Sequence, residues 1–162
     1  MIKKIFPLLT SILIVGGCSN TEEVTLQTGT ITIVATGPLF EGSNTGTYAW
    51  DLIVEDYISG ISGAEDIKEA RLQSVTLSSS NIDLVSDLTL QMAGEHTGMQ
   101  KVAYMDSEGQ IQVADKQKNL ASFFSDNHRT IVADFNINDD WYDDFEIKAE
   151  LVFTLQVSTK NN

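Results

Sequence analysis

"FEIKAELVFTLQVS", residues 145–158, decides the fold. Phe145, Ile147, Ala149, Leu151, Phe153, Leu155 and Val157 fall on every second position, with Glu146, Lys148, Glu150, Val152, Thr154, Gln156 and Ser158 between them. Side chains alternate across an extended strand, so this spacing sets one face in a core and the other largely in water. At a helical period the same residues would scatter around the circumference. Just upstream, Ile131, Ala133, Phe135 and Ile137 alternate with Val132, Asp134, Asn136 and Asn138. The Asn- and Asp-rich run between the two segments is turn chemistry. Together they predict an antiparallel hairpin.

Shorter strands are expected along the rest of the chain. "VTLQTGTITIVAT" (24–36) is interrupted by Gly29, as a bulge or turn would interrupt it. "TYAWDLIVE" (47–55) alternates Tyr48, Trp50, Leu52 and Val54 against Ala49, Asp51 and Ile53, which puts Trp50 in the core. Residues 70–79 and 86–93 form an expected pair, and "MQKVAYM" and "QIQVA" another, around Asp106-Ser107-Glu108-Gly109. Helical spacing is confined to scraps near 66–70 and 118–124. About eight or nine short strands with turns between them predict an all-β fold, an antiparallel β-sandwich, with an open β-barrel as the alternative.

A chain of 162 residues suits one domain, and at about this size roughly 70% of the unfolded surface can be buried. The net charge of −13 argues against nucleic acid and against basic docking on anionic headgroups, since both need a cationic face. It suits solubility, and leaves room for cations or basic partners.

The N-terminus carries an address. Lys3 and Lys4 precede an apolar stretch from Ile5 to Val15, then Gly16, Gly17 and Cys18, the single cysteine. A positive start, an apolar centre and a small-residue end make a secretory signal, and the run is too short to span a bilayer. Val15-Gly16-Gly17-Cys18 resembles the lipobox of bacterial lipoproteins, with Val15 where that family usually has Leu. The resemblance implies a diacylglyceryl group on the Cys18 thiol and cleavage between Gly17 and Cys18. Residues 1–17 are then a signal peptide, 18–23 a lipidated start and tether, and 24–160 the folded domain. Cleavage removes the two lysines, which takes the net charge from −13 to −15. It leaves no thiol for a disulfide.

Further resemblance refines the address. In the proteobacterial pattern Asp after the lipidated cysteine is associated with inner-membrane retention, so Ser19 implies the outer membrane. Glu22 and Glu23 resemble the acidic tether of surface-exposed lipoproteins of the Bacteroidota, the periplasmic leaflet being the rival location. Ser74-Val75-Thr76-Leu77, Asn81 to Leu84, Leu88-Thr89-Leu90 and Val102-Ala103 follow the order seen in small Bacteroidota lipoproteins of unassigned function. Those motifs are core pattern and imply a fold, not a catalytic residue.

Signals for an enzyme are thin. His96 lies in a Gly-flanked loop and His128 near a strand start. There is no G-x-S-x-G elbow, H-E-x-x-H, paired Cys-x-x-Cys or Gly-rich phosphate loop. A hydrolytic enzyme would need a cleft holding one of these histidines beside a carboxylate. The expectation is a non-enzymatic, lipid-anchored binding or interaction module, no cofactor, and an unidentified protein or glycan partner. A structural or accessory subunit of an outer-membrane complex is the alternative, and a hydrolase third.

The most distinctive surface stretch is "NINDDWYDDFE", residues 136–146. Trp141 and Tyr142 are candidate ligand contacts, or Trp141 folds back as a cap. Asp139, Asp140, Asp143 and Asp144 are candidate ligands for Ca2+. Asp134, Asn136 and Asn138 imitate the start of an EF-hand loop, but Asp139 stands where the turn glycine belongs and Phe145 where the bidentate glutamate belongs.

Overall fold

The computed structural model describes residues 21–51, 53–59 and 61–158. Cys18 lies outside the described residues. Among the described residues there are nine strands: β1 (Thr21–Gln27), β2 (Ile31–Ala35), β3 (Gly42–Ala49), β4 (Ile67–Ser78), β5 (Val85–Gly94), β6 (Gly98–Met105), β7 (Ile111–Val113), β8 (Arg129–Ile137) and β9 (Phe145–Ser158). One short helix, α1 (Ala121–Ser125), stands between β7 and β8. The all-β expectation and the strand count hold.

The strands form one antiparallel sheet, in the order β4, β9, then β1 and β2, then β3, β8, β5, β6 and β7. It curls into a half-barrel, so the barrel alternative is the arrangement adopted rather than two stacked sheets. The strand β9 explains why. Its 14 residues pair with β4 along one edge and with β1 and β2, one after the other, along the opposite edge. A strand hydrogen-bonded on both sides with one apolar face needs a cover, and the sheet supplies it by bending round. Register shifts in β4 and β5 provide the bends, and β7 comes up against β4 at the open seam. The β4 edge is closed there by Asn119 and Leu120. Ala70 N–H donates to Asn119 Oδ1 at 3.0 Å, and Leu120 N–H donates to Ala70 O at 2.7 Å.

The two extended segments singled out by sequence are strands but not a hairpin. The β2–β3 hairpin lies between β8 and β9. Three strand spacings of about 4.8 Å separate them, a gap that residues 138–144 span easily at about 3.3 Å per residue. Likewise β4 pairs with β9 whereas β5 pairs with β6 and β8, so the expected 70–79/86–93 pair does not form. Alternation tells which face of a strand is buried; it carries no label for the partner. The turn between β6 and β7 forms as expected. Asp106 Oδ1 accepts from the N–H groups of Glu108 and Gln110, both at 2.9 Å, and Gly109 takes a φ of +76°.

Three boundaries move. β1 begins at Thr21, so Thr21, Glu22 and Glu23, read as tether, pair with Ser158, Val157 and Gln156. A neighbour from β9 fixes these polar residues in a ladder that their side chains do not advertise. β3 ends at Ala49, and residues 54–56 form a 3-10 turn. The expected helical scrap at 66–70 belongs to β4 from Ile67 on, whereas the one near 118–124 survives as α1. Gly29 breaks the chain between β1 and β2 with a φ of +69°, which lets both strands share one edge of β9.

The core lines the concave side. All seven inward residues of β9 are buried. Trp50, also buried, packs against Phe123 at 5.4 Å, Phe124 at 6.1 Å and Phe153 at 6.1 Å between ring centroids. Thus α1 and the segment after β3 cover the part of the β1–β9–β4 ribbon that the curled sheet does not reach.

Candidate functional site

The register gives the barrel two distinct ends. Thr21 pairs with Ser158, so the chain enters at one end of β9. Phe145, at the other end of β9, follows the acidic loop. There the 36–41 and 138–144 loops lie side by side, because β2–β3 sits between β8 and β9. Backbone bonds lock them: Leu39 N–H to Trp141 O at 2.7 Å, and Trp141 N–H to Leu39 O at 2.9 Å.

This bridge sorts the side chains. Leu39 is buried, and Trp141 is half-buried with its ring edge-on to Phe145 at 6.2 Å. The residues that follow each of them point outward: Phe40 is 63% exposed and Tyr142 75%. Of the two aromatics singled out by sequence, Trp141 caps the core and Tyr142 is open. Phe40 was missed. Its signal was an apolar Leu-Phe pair in the turn-rich stretch "TGPLFEG", where a turn has no core to feed.

The aspartates hold the loops together. Asp140 Oδ1 accepts the Glu41 N–H at 2.9 Å, and Asp144 Oδ1 accepts the Gly37 N–H at 3.0 Å. Asp139 Oδ1 accepts the Asp140 N–H at 2.9 Å. Asp143 is exposed. Among the described residues no three His, Cys, Asp or Glu side chains converge as a metal site would require. Asp134, the first residue of the EF-hand imitation, bonds across strands instead. It accepts from the Thr45 hydroxyl at 2.7 Å and from the Gln91 amide.

A second constellation forms near the start of β8. Asp126, with its side chain 4% exposed, meets the β5–β6 turn. It accepts the His96 N–H at 3.1 Å, the Thr97 N–H at 3.1 Å and the Thr97 hydroxyl at 2.6 Å, and its Oδ1 lies 3.0 Å from His96 Nδ1. Burial alone would raise its pKa, but these donors outweigh burial and hold the carboxyl below its ordinary range. Gly94 permits the approach: a Cβ there would stand 1.9 Å from Asp126 Oδ2. Nearby, burial lowers the Arg129 guanidinium from its usual value, while the charges of Asp51, Asp126 and Glu55 oppose that shift.

Ser122 and Ser125 line the cavity of about 530 Å3 beside this pair. A cleft with a histidine next to a carboxylate is therefore present. Its bonding is that of a turn clamp. Three of the four contacts to Asp126 come from backbone N–H groups and a threonine. The His96 side chain is 75% exposed, and among the described residues no serine hydroxyl bonds to its ring. A poised nucleophile would stand within hydrogen-bond reach of the free ring nitrogen.

Neither a family model nor a curated protein nor a solved structure matches this chain at a significant level.

Proposed function

We propose that this chain is a lipid-anchored binding module of the cell envelope, outer-membrane in location, whose far end takes a basic segment of a partner protein. The observation that carries the reading is the placement of Phe40 and Tyr142, open on two braced loops, at the end of β9 opposite the chain's entry. A strand of 14 residues reaches about 45 Å at roughly 3.3 Å per residue. Cys18 precedes β1 by only three residues, a leash of about 10 Å. A lipid on Cys18 would keep the entry end at the bilayer and hold the aromatic end well away from it.

The charge argues for the class of partner. Glu41, Asp139, Asp140, Asp143 and Asp144 belong to the same two loops as the rings, on a chain of −13. An aromatic face attracts a cation, worth about 0.5–1 kcal/mol at an exposed site, and nearby carboxylates steer it in. Lysine and arginine side chains satisfy both. The braced loops bind without first being ordered, which lowers the entropic cost.

The test uses the full chain in detergent, with Trp141 fluorescence as reporter. A Lys/Arg-rich peptide should bind more tightly than a neutral Ser/Gly peptide of equal length, and more weakly as salt rises. The Phe40→Ala/Tyr142→Ala pair should lose about tenfold or more in affinity at an unchanged melting temperature. Equal binding of the two peptides, or full binding by the double variant, would overturn the reading. Trp141→Ala is the wrong probe, because it removes core contact as well.

The anchor is tested separately. Cys18→Ser should move the protein from the membrane to the soluble fraction and abolish labelling by radioactive fatty acid. Each buried acyl CH2 contributes about 0.8 kcal/mol, and the described residues contain no helix long and apolar enough to span. Unchanged fractionation would remove the lipid from the account and leave the peptide experiment standing.

A further inference from the structure

Where β1 gives way to β2, the segment after β3 folds over the break and leaves a cavity of about 210 Å3. Tyr48, Trp50, Tyr57, Asp51, Thr30 and Ile31 line it. We infer that this cavity is a subsite for one neutral sugar ring. The inference is independent of the far-end loops.

Size comes first. Sites for drug-sized ligands run to about 300–1,000 Å3, so this cavity admits a single ring and not an oligomer. Chemistry comes second. Tyr57 is 55% exposed and offers an open aromatic face beside half-buried Tyr48. The apolar C–H face of a pyranose stacks on such a ring. Among the described residues the Asp51 carboxylate and the Tyr48 and Tyr57 hydroxyls make no hydrogen bond. Thr30 gives its proton to Glu150 at 2.7 Å and keeps lone pairs to accept another. These groups suit sugar hydroxyls, which both donate and accept.

Packing argues against the nearest rival, a quaternary ammonium in an aromatic cage. A cage needs several open ring faces. Trp50 is enclosed by Phe123, Phe124 and Phe153 and offers only its rim. A neutral ligand is indifferent to the protein's overall negative charge.

The experiment titrates the full chain in a polyoxyethylene detergent, which carries neither sugar nor quaternary ammonium. Probes are glucose, galactose, mannose, N-acetylglucosamine and choline, followed by saturation-transfer NMR and tryptophan fluorescence. At least one sugar should bind saturably at about millimolar concentration. Tyr57→Ala should abolish binding, Tyr57→Phe should keep most of it, and Asp51→Asn should weaken it about tenfold. Melting temperatures should match the parent, since Tyr57 and Asp51 are exposed. The Phe40→Ala/Tyr142→Ala variant should bind the sugar normally. No saturable sugar binding, tighter binding of choline than of any sugar, or undiminished binding by Tyr57→Ala would each overturn the inference.

Discussion

Asp126→Ala is expected to destabilise the fold by about 3 kcal/mol, because hydrogen bonds to a buried charged acceptor contribute about 1.5–3 kcal/mol each and their donors would be left unpaired. For a domain of this size that is a fall in melting temperature of roughly 10 °C. The substitution leaves the His96 and Thr97 N–H groups and the Thr97 hydroxyl facing an empty space. Asp126→Asn keeps the shape and one acceptor oxygen, so it should cost about half as much. His96→Ala should cost little, since that ring is largely exposed. A melting temperature for Asp126→Ala within about 1 °C of the parent would rule out the clamp.

The same residue sets an acid limb. Its folded pKa lies below the ordinary value of 3.8, so its contribution is complete above the unfolded pKa and disappears as pH falls through the folded one. The gap in unfolding free energy between parent and Asp126→Asn should stay level from pH 7 to about pH 5 and narrow below about pH 4. Chemical denaturation across that range checks the sign.

Phe153→Ala is expected to cost about 3–5 kcal/mol, as large aromatic truncations in closed cores do. Phe153 is fully buried and touches both Phe124, at 5.4 Å, and Trp50, at 6.1 Å. The cavity would open under the aromatic cluster that joins α1 to the sheet, so Trp50 emission should shift to longer wavelength. By contrast Phe40→Ala, an exposed ring on a braced loop, should stay within about 0.5 kcal/mol of the parent. A small effect of Phe153→Ala would mean that the aromatic cluster can collapse around the gap.

Much of this was legible in the residues and some was not. The alternation of Phe145 to Val157 marked β9 and its buried face without ambiguity, because a two-residue period is a local property. Its partners were not legible, since β1, β2 and β4 are chosen by sheet closure and by sequence separations of more than 60 residues. Trp50 was placed correctly because it continued an alternating run. Asp126 was invisible: a short polar residue in "SDNH" looks like any turn until the remote Thr97 and His96 reach it. Tyr142 was found as an unusual aromatic among aspartates. Phe40 and Tyr57 were not, because a single aromatic in a loop does not reveal whether it turns inward.

The spine of the sheet is made after the strands that depend on it. Among the described residues β1 and β4 have no hydrogen-bonding strand other than β9, and β2 has one residue pair with β3 besides. Until residues 145–158 emerge, those segments have no template and the barrel cannot close. A chain still being synthesised therefore holds β1, β2 and β4 without their shared partner, and the sheet gains its long-range pairings only in one late step.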